Sequence, residues 1–98
     1  MITFTSLLWI WRNGEAGSWY FVTVPEEQAG EVRAHAFGSP RGFGSVRVEA
    51  TISDITWRTS VFPQKSGGYL MPVKAAVRKQ ANLVVDAPVD VTIQLIDG

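Results

Sequence analysis

The chain has 98 residues, 46% apolar and 18% charged, and nine Lys and Arg balance nine Asp and Glu. This length holds one domain, spanning 1–98, with no space for separate catalytic and regulatory domains, and the composition excludes disorder and fibrous structure. Zero net charge excludes a globally basic protein, and the absence of cysteine excludes disulfides, thiolate nucleophiles and Cys-based zinc sites.

A small domain without disulfides must be held by its hydrophobic core, which suits a reducing cytoplasm. No apolar run approaches the ~18 residues that span a bilayer. The segment Met1-Ile2-Thr3-Phe4-Thr5-Ser6 has no basic region ahead of its apolar stretch, unlike a secretory signal. The expectation is a soluble cytoplasmic protein with no membrane partner.

Strand patterns dominate. Ile2 to Trp11 is an apolar and aromatic run ending at Arg12-Asn13-Gly14, where Asn-Gly favours a turn because both residues tolerate positive φ. Ser18 to Val24 is rich in aromatic and β-branched residues and stops at Pro25. The two runs predict a hairpin. Pro25-Glu26-Glu27 opens a helix, with Pro suited to the first turn and the acids complementing the helix dipole. It continues to about Ala36, with Ala29, Val32 and Ala36 on one face. A Gly-rich loop fills residues 38–44.

Val46, Val48, Ala50 and Ile52 alternate with Arg47, Glu49 and Thr51. After the turn Ser53-Asp54, Ile55, Trp57, Thr59 and Val61 share one face, and Thr56, Arg58, Ser60 and Phe62 the other. Gln64 to Gly68 is a turn, and Tyr69-Leu70-Met71 a short strand ending at Pro72. Val73 to Ala81 reads as a short helix, with Val73, Ala76, Val77 and Gln80 on one side and Lys74, Arg78 and Lys79 mostly on the other. Val89, Val91, Ile93 and Leu95 mark a last half-buried strand.

Two stretches share one plan: strand, Pro, short helix, loop, alternating strand. The first runs from Trp19 through Pro25 to Ile52, the second from Tyr69 through Pro72 to Leu95. One such half leaves an apolar strand face uncovered. Two halves pairing into one barrel bury that face and remove exposed edges. The fold class expected is mainly β, a small barrel of two strand-Pro-helix-strand halves with pseudo-twofold symmetry, capped by two short helices.

The residues Gly17-Ser18-Trp19-Tyr20-Phe21-Val22-Thr23-Val24-Pro25, Gly42-Phe43-Gly44-Ser45-Val46-Arg47-Val48, Trp57-Arg58-Thr59-Ser60-Val61-Phe62-Pro63 and Gly68-Tyr69-Leu70-Met71-Pro72-Val73-Lys74 followed by Val77-Arg78-Lys79 carry a resemblance. Together they resemble the bacterial domain-of-unknown-function family numbered 1905. The resemblance implies a double-split β-barrel, the architecture of AbrB- and MazE-like regulators, with one chain supplying both halves. It carries no activity over. Units of the AbrB type usually have Gly-Asp before the last strand. This chain has Asp86-Ala87-Pro88, which replaces a glycine turn by a Pro-stiffened one.

Catalytic chemistry finds little support. His35, near the end of the first helix, has no second His or any Cys to share a metal, so no metal and no cofactor is expected. Ser60 sits in a strand, outside any G-x-S-x-G elbow, and a hydroxyl there hydrogen-bonds locally. The Gly-rich loop lacks a P-loop Lys-Ser/Thr. No catalytic residue is assigned.

The four tryptophans, Trp9, Trp11, Trp19 and Trp57, all fall in strand patterns, and core packing is their default role. An aromatic groove is the rival role.

The zero net charge conceals a block. Residues 33–79 hold eight Lys or Arg against Glu49 and Asp54, a net +6, and the remainder holds Arg12 against seven acids, a net −6. Arg47 and Arg58 point outward from a hairpin, and Lys74, Arg78 and Lys79 lie on the second helix. If hairpin and helix abut, these cations, with Trp57, form a ligand- or anion-binding face. The expected function is a non-enzymatic binding module for a protein or small ligand, monomeric or weakly dimeric. The alternative is an AbrB-like nucleic-acid binder using the basic segment 33–79.

Overall fold

A computed structural model describes residues 1–12, 14, 17–38 and 44–96. The Asn13 of the predicted Asn-Gly turn and residues 39–43 of the Gly-rich loop lie outside the described residues. Seven strands and two helices follow in the order β1 (Ile2–Leu7), β2 (Trp9–Arg12), β3 (Ser18–Val24), α1 (Glu26–Phe37), β4 (Val46–Ile52), β5 (Ile55–Pro63), β6 (Tyr69–Pro72), α2 (Ala75–Gln80) and β7 (Pro88–Leu95). The structure is mainly β. Its strands form one curled, half-barrel sheet in the order β1-β7-β4-β5-β6-β3-β2, with every pairing antiparallel.

The first predicted strand is divided. β1 pairs with β7 at one edge of the sheet, and β2 pairs with β3 at the other. Leu8 is the bend between them. Its N–H donates to the Ala87 carbonyl at 3.2 Å, and its own carbonyl accepts from the Asp86 N–H at 2.7 Å. These bonds satisfy the backbone where the chain leaves both ladders. The Leu8 side chain is 1% exposed. Asp86 takes a left-handed φ of 68°, so the position before Ala87-Pro88 keeps the conformation a glycine favours.

Strand alternation follows the expected faces. Val46, Val48, Ala50 and Ile52 of β4, Val22 and Val24 of β3, Val61 of β5, Met71 of β6 and Val89, Val91 and Ile93 of β7 fill one buried cluster. α1 adds Ala29, Val32 and Ala36, the predicted face, and its first turn carries Glu26 and Glu27. α2 is shorter than the predicted Val73–Ala81. The Val73 N–H donates to the Tyr20 carbonyl at 2.9 Å, which holds this residue in strand pairing, and Lys74 stays extended as the N-cap. Val77 is the buried residue of α2, whereas Ala76 and Gln80, expected on the same side, are exposed. None of the described helices is long and apolar enough to cross a membrane.

The tryptophans do not fill the core. Trp9 and Trp57 are half-buried, and Trp11 and Trp19 are exposed. The lumen of so small a curled sheet is closed by β-branched and other aliphatic side chains, with Phe4 and Tyr69 the aromatic members. Trp57 packs against this cluster from its rim, and the other indoles lie elsewhere. Trp11 sits opposite Trp19 across β2 and β3, and Trp9 opposite Phe21, with ring centroids 5.0 Å apart. The Trp9 Nε1–H donates to Thr23 Oγ1 at 3.0 Å. This outer face is aromatic. The outer face of β1, β7, β4 and β5 is polar instead: Thr5 donates to Asp90, Thr51 bonds Thr56, and Arg47, Glu49 and Arg58 share the face.

Candidate functional site: a cationic cleft in the sheet split

β5 pairs with β4 from Ile55 to Val61, but with β6 only through Phe62 and Pro63. Away from that contact the two strands do not pair, and β6 ends at Pro72 while β5 and β3 run on past it. The gap is a cleft of about 240 Å³. Ser18, Trp19 and Tyr20 of β3 form one wall, and Trp57, Arg58 and Thr59 of β5 the other. Pro72, Val73 and Lys74 close its head, and Arg78 reaches in from α2.

Arg78 is fixed in place. Its guanidinium carbon lies 3.5 Å from the centroid of the Tyr20 ring, and its Nε–H donates to the Val73 carbonyl at 3.2 Å. Stacking on an aromatic face leaves a guanidinium's edge donors directed outward. Among the described residues the one ion pair is Arg33–Glu26 at 3.3 Å, between two exposed side chains of α1. Among the described residues no carboxylate lies within ion-pair distance of Arg58, Lys74 or Arg78, although Glu49 stands directly opposite Arg58 across β4 and β5. The described lining of the cleft contains no Asp, Glu or His.

Of the six residues singled out by sequence, Trp57, Arg58, Lys74 and Arg78 line this cleft. Lys79 lies beside Arg78 in a shallower depression with Asn82, Leu83 and Val84. Arg47 is exposed on β4 opposite Ser60, one diagonal step from Arg58, and is not among the lining residues. The five cations therefore do not form one cluster: three meet in the cleft and two flank it. Sequence reasoning missed Ser18, Trp19, Tyr20 and Thr59. No local signal marks them, because the cleft depends on where β6 ends and α2 leaves the sheet. His35 lies in the last turn of α1, away from the cleft, and no group of three or more metal-ligating side chains occurs among the described residues.

The family profile described as "Domain of unknown function (DUF1905)" matches residues 4–93 of the chain. No curated protein matches it.

Proposed function

We propose, for a chain that belongs to the DUF1905 family, that it is a binding module whose split cleft receives an anionic group of a protein or small-molecule partner. One observation carries this reading. Arg58, Lys74 and Arg78 converge on a cleft with three aromatic side chains and no acid among its described lining residues. Three cations this close repel one another even with Glu49 opposite Arg58, and an anion relieves that repulsion while accepting charge-assisted hydrogen bonds. Trp19, Tyr20 and Trp57 supply apolar surface for the remainder of the ligand. The described lining offers hydroxyls on Ser18, Tyr20 and Thr59 but no His, Asp or Glu, the commonest general bases, which favours binding over catalysis.

The test is a titration with pyrophosphate and citrate, read from the Trp19 and Trp57 indole N–H and Arg78 Nε–H resonances. Saturable shifts that weaken at least tenfold in Arg78→Met support the reading. Unmoved resonances at millimolar anion sink it.

Nucleic acid is the second reading, favoured by Arg47 lying one diagonal step from Arg58, which lengthens the cationic strip beyond the cleft. Phosphate contacts of that kind give an affinity that falls steeply with salt. A duplex and a single-stranded oligonucleotide that both fail to bind at low salt remove it.

The same cleft sits naturally in a duplicated, double-split barrel, which is how we read the curled sheet. The equivalent strands of the two halves pair with each other, β3 with β6 and β4 with β7. We place the protein in the cytoplasm, as a monomer or weak homodimer, on its cysteine-free core.

A further inference from the structure

We infer that the partner's anionic group arrives on an extended peptide, which adds a strand in the gap that β6 vacates. This rests on the cleft being the binding site and names what enters it.

The lining residues reveal the kind of surface. Successive strand residues point to opposite faces. A cleft walled by three consecutive residues on each of two strands therefore runs along strand edges, not over a sheet face. β6 lies between β5 and β3, so those two strands stand at least two inter-strand spacings apart, about 9–10 Å, where β6 ends. That is room for one further strand.

The hydrogen-bonding phase of both walls suits it. The Tyr20–Val73 pair is hydrogen-bonded. Alternation along β3 then turns the backbone groups of Trp19 toward β2 and those of Ser18 toward the gap. On β5, the two-residue turn Ser53-Asp54 closes on the Ile52–Ile55 pair. Alternation from that pair spends the groups of Trp57, Thr59 and Val61 on β4 and directs those of Arg58 and Ser60 into the split.

Val73 takes the register place after β6, between Tyr20 and Thr59; the first position beyond it falls between Trp19 and Arg58, and the second between Ser18 and Trp57. A strand residue at the first position bonds Arg58, and one at the second bonds Ser18. The alternation required of a single strand is thus already present in its two neighbours.

Side-chain chemistry defines the peptide. The first position shares the outer face with Arg58 and suits Asp or Glu, an opposite-charge cross-strand pair. The second shares the inner face with Trp57 and Tyr20 and suits an apolar residue. Lys74 and Arg78 add positive charge at the head. The partner is therefore an extended segment alternating acidic and apolar residues, bound by β-augmentation.

The experiment titrates the 15N-labelled full chain with acetyl-Glu-Val-Glu-Val-amide, its Lys-Val counterpart, and the Glu-Val peptide N-methylated at both valines. The expected result is slowed exchange of the Arg58 and Ser18 amides with the parent peptide. N-methylation lowers affinity at least tenfold, the lysine peptide binds at least tenfold more weakly, and Arg58→Glu reverses the charge preference. An N-methylated peptide that binds as well as the parent overturns strand addition but leaves anion binding intact, provided pyrophosphate still shifts Arg78. Equal binding of the lysine peptide also overturns the proposal. Silence toward peptides and pyrophosphate alike overturns this inference together with the reading beneath it.

Discussion

The guanidinium of Arg78 stacks on the ring of Tyr20 at 3.5 Å, joining α2 to β3 across the gap left by β6. Its Nε–H bond to the Val73 carbonyl closes a small circuit, because the Val73 N–H already bonds the Tyr20 carbonyl. One arginine thus ties helix, turn and strand together at the cleft while keeping its outer donors available to a ligand.

Arg78→Ala is expected to cost about 1–2 kcal/mol of stability, from a partly desolvated cation–π contact and one hydrogen bond. Tyr20→Phe keeps the ring and is expected to change stability by less than about 0.5 kcal/mol, with Tyr20→Leu falling near Arg78→Ala. Arg78→Lys keeps the charge but not the planar stacking or the Nε bond, and should resemble Ala in stability more than wild type. Urea midpoints at constant m-value measure the set. Equal stabilities of Arg78→Ala and wild type would show that the stacked geometry contributes nothing.

The Leu8 bend gives a second prediction. Leu8 is 1% exposed and lies where the chain crosses from β1 to β2. Leu8→Ala is expected to cost about 3–5 kcal/mol, because backbone bonds to Asp86 and Ala87 hold the bend and limit collapse into the cavity. Leu7→Ala, one residue earlier but half exposed, should cost less than about 1 kcal/mol. Thermal unfolding of the two variants separates them. Similar losses would mean that the bend does not anchor the closure of the sheet.

These two sites also show what sequence does and does not reveal. The β4–β5 hairpin was legible because apolar alternation and a two-residue turn specify the same register. The break at Leu8 was not. Ile2, Phe4, Leu8 and Ile10 keep one inward phase straight through it, and no Gly or Pro marks it. The chain bends there because its two ends pair with different sheet edges, a tertiary fact that leaves no local signal. Arg58 was legible as outward-facing, Lys74 and Arg78 as helix-borne, and Trp57 only through its rival role in an aromatic groove. Tyr20 was not, since its contact with Arg78 depends on where α2 leaves the sheet.

Asn82 explains the early stop of α2. It adopts φ 53°, the Leu83 N–H bonds the Arg78 carbonyl at 3.0 Å, and the Asn82 N–H bonds the Lys79 carbonyl at 3.3 Å. This double bond pattern around a left-handed residue is the Schellman cap. Asn82→Gly is expected to be neutral or stabilising by up to about 1 kcal/mol, and Asn82→Val destabilising by about 1–2 kcal/mol, since β-branching penalises positive φ. Because the cap follows Arg78 closely, Asn82→Val should also shift the Arg78 Nε–H resonance. A Val variant as stable as wild type would contradict the cap.

Gly68 and Gly14 form a matched test of backbone strain against close packing. Both have positive φ, 73° and 48°. A Cβ on Gly14 meets nothing within 4 Å, so Gly14→Ala pays only the conformational penalty, roughly 1 kcal/mol. A Cβ on Gly68 would stand 2.8 Å from the Val24 carbonyl oxygen, inside any real contact distance, and that oxygen belongs to a ladder strand that cannot yield cheaply. Gly68→Ala should therefore cost about 2–4 kcal/mol, the strain of positive φ plus displacement of β6 from β3. Since β6 defines where the cleft begins, the shift should also perturb the Trp19 and Trp57 indole resonances, whereas Gly14→Ala should leave Trp57 unmoved. Equal destabilisation by the two alanines would mean that φ alone, not the approach of Gly68 to Val24, keeps glycine at this position.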